Sequence, residues 1–309
     1  WARRCVLETV VFIPVIWTLI AVPDCFSILE KTFQSTDPIV INSVRLAIFF
    51  GFAWGIGGIM FGISVPYIGL SLTMGIVMGL AGTLGSLIPL LQIENAVQTP
   101  QFPYVITGLC ITIVGITLTA KAGIDRDKIS NSEKNEKSNI FKGILIAIIC
   151  GALSSLLAVG HTGVNDDVSL IASEFGVEGR NASLVAWLIV FIGAFAMNIL
   201  YAGFLLIKNN SFSSFSIKGS GKAYKWAIIA GICWFAALGM YGQGAALMGS
   251  LGNIVGWPML LGLSLIISNY WAFRAGEWDD AKNPFKILVL GIIVLVLASV
   301  VLGYSNMVT

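Results

Sequence analysis

Nine apolar runs, parted by short polar stretches, lay out the chain. They cover Val6–Val22, Val44–Ile63, Tyr67–Leu91, Pro103–Ala120, Gly143–Gly160, Leu184–Ile207, Ala223–Met248, Ser250–Phe273 and Ile287–Leu302. Most approach the length of about 20 apolar residues that an α-helix needs to cross the hydrocarbon core of a bilayer. The pattern predicts an all-α integral membrane protein, a polytopic helical bundle with nine spans in this chain. Between the runs, Pro23–Ser43 reads as a polar connector and Pro66 as a tight turn. His161–Ser183 reads as a polar loop whose centre could form a short surface helix. Lys121–Lys142 is the most charged stretch, lacks apolar periodicity and reads as a solvated linker. Two spans carry glycine rows at helical spacing: Gly51, Gly55, Gly58 and Gly62, then Gly75, Gly79 and Gly82. Small residues so placed let a second helix approach closely.

One span occurs twice. Sliding Arg45–Gly69 by 180 positions onto Lys225–Gly249 matches Ala47, Ile48, Gly51, Trp54, Met60, Gly62 and Gly69 with Ala227, Ile228, Gly231, Trp234, Met240, Gly242 and Gly249. In an apolar chain such a repeat indicates a transporter assembled from two halves. Five spans follow the linker, with the repeat third among them; four precede it, with the repeat second. The first half is therefore one helix short at its start, which predicts a leading helix ahead of Trp1. Two five-helix halves have opposite orientations because five is odd. The expected organisation is two inverted repeats, 1–120 and 143–309, joined by a cytoplasmic linker at 121–142.

Composition sharpens this picture. The chain is 57% hydrophobic and only 11% charged, against about 25% charged residues in soluble domains. Lys and Arg fall unevenly: fifteen lie on the side of the linker and three on the other. By the positive-inside rule the linker is cytoplasmic and the C-terminus extracytoplasmic. The net charge of +2 and the absence of a basic block argue against nucleic acid as a partner. The five cysteines are scattered without a CxxC pair, so neither a metal site nor a disulfide framework follows. The lone histidine, and the lack of HxxxxD or GxSxG, leave no enzyme signature. No cofactor is implied.

Candidate chemistry then falls on the few polar and aromatic groups inside spans. Glu8, about one turn into the first run, is the candidate proton carrier, since an ionisable group within a membrane helix is costly; a helical pair with Arg4 is the structural alternative. Trp54 and Trp234, the symmetric pair, either stack on the C–H face of a sugar or pack the halves together. Asn198, Tyr241 and Gln243 offer donors and acceptors to a polyhydroxylated solute, or hydrogen bonds between helices. His161, Asp166 and Asp167 form either a solvated loop or a gate with a proton-entry role. Asn269, Tyr270, Trp271, Glu277 and Trp278 read as interface anchors.

The glycine–aromatic run carries a further signal. Trp54-Gly55-Ile56-Gly57, Phe61-Gly62-Ile63 and Tyr67-Ile68-Gly69-Leu70-Ser71-Leu72 with Gly75-Ile76 resemble the rhamnose–proton symporter family of the drug/metabolite transporter superfamily. Trp1 with Glu8, Gly176-Val177 ahead of the span holding Asn198, and Glu277-Trp278 with Ala281 extend the resemblance over nearly the whole chain. It implies ten helices in two inverted repeats and proton-driven uptake of L-rhamnose or a related monosaccharide across a bacterial inner membrane. The partners are then a sugar, a proton and the lipid bilayer. Two alternatives remain open on the residues: an exporter of amino acids or small metabolites with the same fold, and a non-transporting sensor or membrane enzyme.

Overall fold

The computed structural model describes residues 11–130, 139–215 and 220–308. Among them lie ten α-helices: α1 (Ile13–Ala21), α2 (Cys25–Phe33), α3 (Pro38–Ile68), α4 (Leu70–Gln92), α5 (Phe102–Ser130), α6 (Ile140–Ser173), α7 (Gly179–Lys208), α8 (Ser220–Leu247), α9 (Gly252–Arg274) and α10 (Lys282–Ser305). The described residues contain no strand. Helices α3 to α10 are eight candidate membrane spans, and α1 with α2 makes a ninth only as a broken pair bent by 105°. The bend has a local cause. Val22 leaves the helical region (φ −138°, ψ 86°) ahead of Pro23, whose ring disfavours helical backbone in the residue before it.

Three expectations about connectors are corrected. The stretch Pro23–Ser43 is largely helical: α2 buries Cys25, Ile28 and Thr32 on one face, and α3 begins at Pro38. Pro66 does not turn the chain; α3 runs through it to Ile68. Its missing N–H removes one i→i−4 helix bond, and the helix ends two residues later. The break comes at Gly69, with φ 79° and ψ 163°, a region essentially reserved for glycine. The largest correction is α6. Its helix continues thirteen residues beyond the predicted end at Gly160, so His161, Asp166 and Asp167 stand on a helix rather than in a loop. His161, Val164, Val168 and Ala172 are all fully buried, at the i, i+3, i+7, i+11 spacing of one helix face. Packing of that face outweighs the modest helix propensity of Asn165, Asp166 and Asp167.

The chain divides into two compact units, Trp1–Ile56 with Val159–Leu247 and Gly57–Ala158 with Met248–Thr309, so the divisions fall within α3 and α6. In the first unit α7 is the most enclosed helix, buried continuously from Ala182 to Phe191. It crosses α3 with a glycine from each helix at the contact: a Cβ on Gly51 would run into the Val190 carbonyl, and one on Gly193 into the Ile48 carbonyl. Gly55 likewise admits Met197, whose Cβ would lie 2.8 Å from an added Cβ. Gly58 and Gly62 meet nothing within 4 Å, so only the first half of that glycine row serves helix approach.

In the second unit α5 packs along α10. A Cβ on Gly108 or Gly115 would press on Leu302 or Leu295. The charged end of α5, predicted as linker, is helical to Ser130. There Arg126 donates to Glu277 (2.7 Å) and Asp127 (3.0 Å), its guanidinium lies 4.9 Å from the Trp278 ring centroid, and Ser71 donates to Asp127 at 2.7 Å. Trp278 is thus a buried packing residue, 4% exposed beside Ala122, Ala281 and Leu288, rather than an interface anchor.

Helix positions echo the repeat. α5 begins at Phe102 and α10 at Lys282, which are 180 apart. The paired Gly69 and Gly249 both have positive φ, 79° and 80°, where α3 and α8 end.

Candidate substrate and proton site

The first unit brings four of the predicted residues, Trp54, Trp234, His161 and Tyr241, along one aromatic column. Trp54 on α3 stacks on Trp234 on α8, with ring centroids 5.9 Å apart and planes at 29°. The α3–α7 glycine crossing holds the backbone of α3 close enough to α7 for this register. Trp234 lies 5.6 Å from Phe191, Phe191 5.5 Å from Trp187, and Trp187 4.0 Å from His161 with the planes at 18°. Tyr241 closes the far end, 6.2 Å from both His161 and Trp187. Trp54 and Trp234 are half-buried, so each keeps part of its ring surface uncovered.

Asn198 sits beside Gly55, its amide nitrogen 3.2 Å from where a Cβ would be. That amide donates to Ala194 of its own helix at 2.8 Å. Gln243 stands apart from the column and donates to Asn181 at 3.0 Å. Asp167 accepts a short hydrogen bond from Ser43 and lines an open polar cleft of about 610 Å³ with Glu30, Lys31, Asp37 and Glu174. Lys31 and Glu174 form an ion pair across it. Asp166 is exposed and accepts from the Asn165 amide at 3.4 Å. Glu8 lies outside the described residues.

Two column members escape a reading by composition. Trp187 and Phe191 sit in an uninterrupted apolar span, where nothing separates them from lipid-facing aromatics. Their only signal is the (i, i+4) spacing that puts both on one face, matched by His161 and Asn165 on α6. Polar atoms concentrate at this end of the column. Among the described residues, His161 Nδ1, Thr162 Oγ1, Asn165 Oδ1 and Trp187 Nε1 are buried without a hydrogen-bond partner. A buried polar atom left unpaired costs about 1–3 kcal/mol, so four together on adjacent helices call for an explanation beyond packing.

Eight apolar helices able to cross a bilayer, with aromatic and amide groups gathered inside them, define a multi-pass membrane protein of the helical-bundle type. The particular lineage follows from comparison. Residues 3–308 match the model of the L-rhamnose-proton symport protein family, and the chain belongs to that family. It is a family of transporters, not enzymes. The chain is 22% identical to an L-rhamnose-proton symporter of Yersinia pestis (strain Pestoides F) over 299 residues, covering 93% of this chain and 86% of the relative. It is 25% identical to an L-rhamnose-proton symporter of Klebsiella pneumoniae over 274 residues, covering 84% and 78%. No solved structure gives a significant match.

Proposed function

We propose that this protein is a secondary active transporter that takes up L-rhamnose, or a closely related monosaccharide, together with protons across a bacterial inner membrane. The observation that carries the reading is the meeting of Trp54 and Trp234, equivalent positions of the two repeats, as a stacked pair 5.9 Å apart in a chain that matches a sugar-proton symport family almost end to end. An indole face suits the apolar C–H face of a pyranose, and the half-buried rings leave surface for it. Asn198, beside Gly55, supplies an amide for hydroxyl groups, with Tyr241 further along the column. Gln243, already paired with Asn181, contributes after that bond is exchanged for one to the sugar.

Alternating access between two inverted five-helix repeats completes the reading. The offset of 180 between the starts of α5 and α10, and the shared positive φ of Gly69 and Gly249, support the repeat. The repeats are bounded at 1–120 and 143–309, and the 121–142 segment that joins them, helical at its start in α5 and at its end in α6, is cytoplasmic. The C-terminus lies outside, so a C-terminal reporter active only in the cytoplasm is silent. Asp167, Lys31 and Glu174 around the polar cleft, with Asp166, form the gate region, and Glu8 is a proton carrier. Purified protein in proteoliposomes, given radiolabelled rhamnose with and without an inward proton gradient, tests the function. Uptake in neither condition refutes it. Glu8→Gln retaining full gradient-driven accumulation removes Glu8 from the coupling.

A further inference from the structure

His161 is the only histidine in the chain, and it is fully enclosed. Its Nε2 lies 3.3 Å from the Ser183 carbonyl oxygen. A carbonyl only accepts, so Nε2 carries the hydrogen and donates it. In the neutral ring Nδ1 is then a bare acceptor, and it has no partner among the described residues. Four residues further along the same helix, Asn165 Oδ1 is a second buried acceptor without a partner. Residues at i and i+4 are neighbours on a helix face. Two acceptors therefore lie on the same face of α6, and among the described residues neither has a donor. The Asn165 amide nitrogen is turned the other way, toward Asp166 at 3.4 Å, which leaves the oxygen for the His161 side.

A single hydrogen on Nδ1 completes this arrangement. It converts the ring into a donor, satisfies Asn165 Oδ1, and leaves the bond to Ser183 intact. The imidazolium so formed lies face to face with Trp187 at 4.0 Å, and an indole face attracts a cation at that range. The missing partner has to be small, because the ring has no exposed surface. Thr162 Oγ1 and Trp187 Nε1 carry hydrogens of their own but bond neither acceptor, and among the described residues no other group around His161 supplies one. On α6 the carboxylates Asp166 and Asp167 point to solvent and to Ser43 respectively. From α7 come the Ser183 carbonyl and Trp187; from α8, Tyr241 at 6.2 Å. α3 presents Ala47 and Phe50 at the neighbouring Gly160, and its Arg45 is exposed.

We propose that His161 is a proton-binding residue of the transport cycle, with Nδ1 as the site, Asn165 Oδ1 as acceptor of the new N–H, and the exposed Asp166 as the point of entry on the aqueous side. One N–H bond forms, no electrons are exchanged, and the ring charge rises by one. The coupling role rests on the proton-symport reading above; the proton site does not.

The test uses the full-length protein in lipid nanodiscs with 15N-labelled histidine. Between about pH 4 and 8 the His161 resonances change reversibly from the neutral form with hydrogen on Nε2 to the imidazolium, with helicity unchanged. Asn165→Asp, which places a carboxylate at the acceptor, moves the midpoint up by about one pH unit or more. A ring that stays neutral throughout, or a neutral ring with a water held on Nδ1, overturns the proposal, as does an unchanged midpoint in Asn165→Asp. In proteoliposomes His161→Gln, with helicity unchanged, loses gradient-driven rhamnose accumulation; accumulation at the parent level overturns the coupling role. A parent protein that moves no rhamnose refutes the proposed function, and the titration then still decides the proton site.

Discussion

Replacing Gly193 by alanine tests whether the α3–α7 crossing sets the geometry of the aromatic column. The added methyl would overlap the Ile48 carbonyl oxygen and stand 2.7 Å from the Phe52 nitrogen and 2.8 Å from the Ile48 carbonyl carbon. Ordinary contact begins near 3.4 Å. The obstacle is backbone, which cannot rotate aside as a side chain can, so the two helices must separate by more than half an ångström at the crossing. Overpacking of this kind costs about 1–3 kcal/mol. Gly203 on the same helix meets nothing within 4 Å. Alanine there relieves backbone entropy and stabilises by about 0.5–1 kcal/mol. Gly51→Ala strikes the same crossing from the other helix. Once one methyl has separated the helices, the second adds little, so the double variant falls well short of the sum. Detergent-unfolding midpoints give the stabilities, and rhamnose binding followed by tryptophan fluorescence reports on Trp54 and Trp234. Gly193→Ala lowers both stability and affinity, whereas Gly203→Ala lowers neither. Equal stability of the two variants, or a fully additive double variant, refutes the account.

Further outcomes follow from other parts of the molecule. Trp54→Ala and Trp234→Ala each raise the KM for rhamnose uptake by up to about tenfold, the equivalent of an aromatic contact of about 0.5–1.5 kcal/mol, and Trp54→Phe recovers part of it; unchanged kinetics in both alanine variants exclude them from the site. Arg126→Ala destabilises the second unit by about 1–3 kcal/mol because Asp127 loses its charged partner, and Arg126→Lys restores little, as a lysine cannot both bridge two carboxylates and stack on Trp278. Glu277, half exposed in its pair with Arg126, contributes under about 1 kcal/mol, so Glu277→Gln leaves the unfolding midpoint nearly unchanged. Gly69→Ala costs about 1–3 kcal/mol, since its φ of 79° with ψ of 163° suits glycine alone; a neutral effect would show that the α3–α4 turn relaxes freely.

What the sequence determined by itself was whatever the solvent dictates. Spans facing lipid must be long and apolar, so α3 to α5 and α7 to α10 were legible from hydropathy, and so was the pairing of Trp54 with Trp234, because a repeat preserves position. Glycine at Gly69 was legible as a repeat match, though its role as the actual helix break was masked by the stronger signal of Pro66. The tertiary structure decided the rest. Polar residues normally mark loops because water satisfies them, and on that basis His161–Asp167 read as one. Inside the first unit the same residues are helical, because the face carrying His161, Val164, Val168 and Ala172 is buried, with Trp187 of α7 and Tyr241 of α8 beside His161. Likewise Gly51 and Gly58 look alike in sequence, yet only Gly51 meets a neighbouring backbone. Nothing in the sequence around Trp187 shows that it is fully buried with His161 stacked on its face. Such facts depend on which distant helix arrives at a given face, and that is set by packing across the whole unit rather than by any local run of residues.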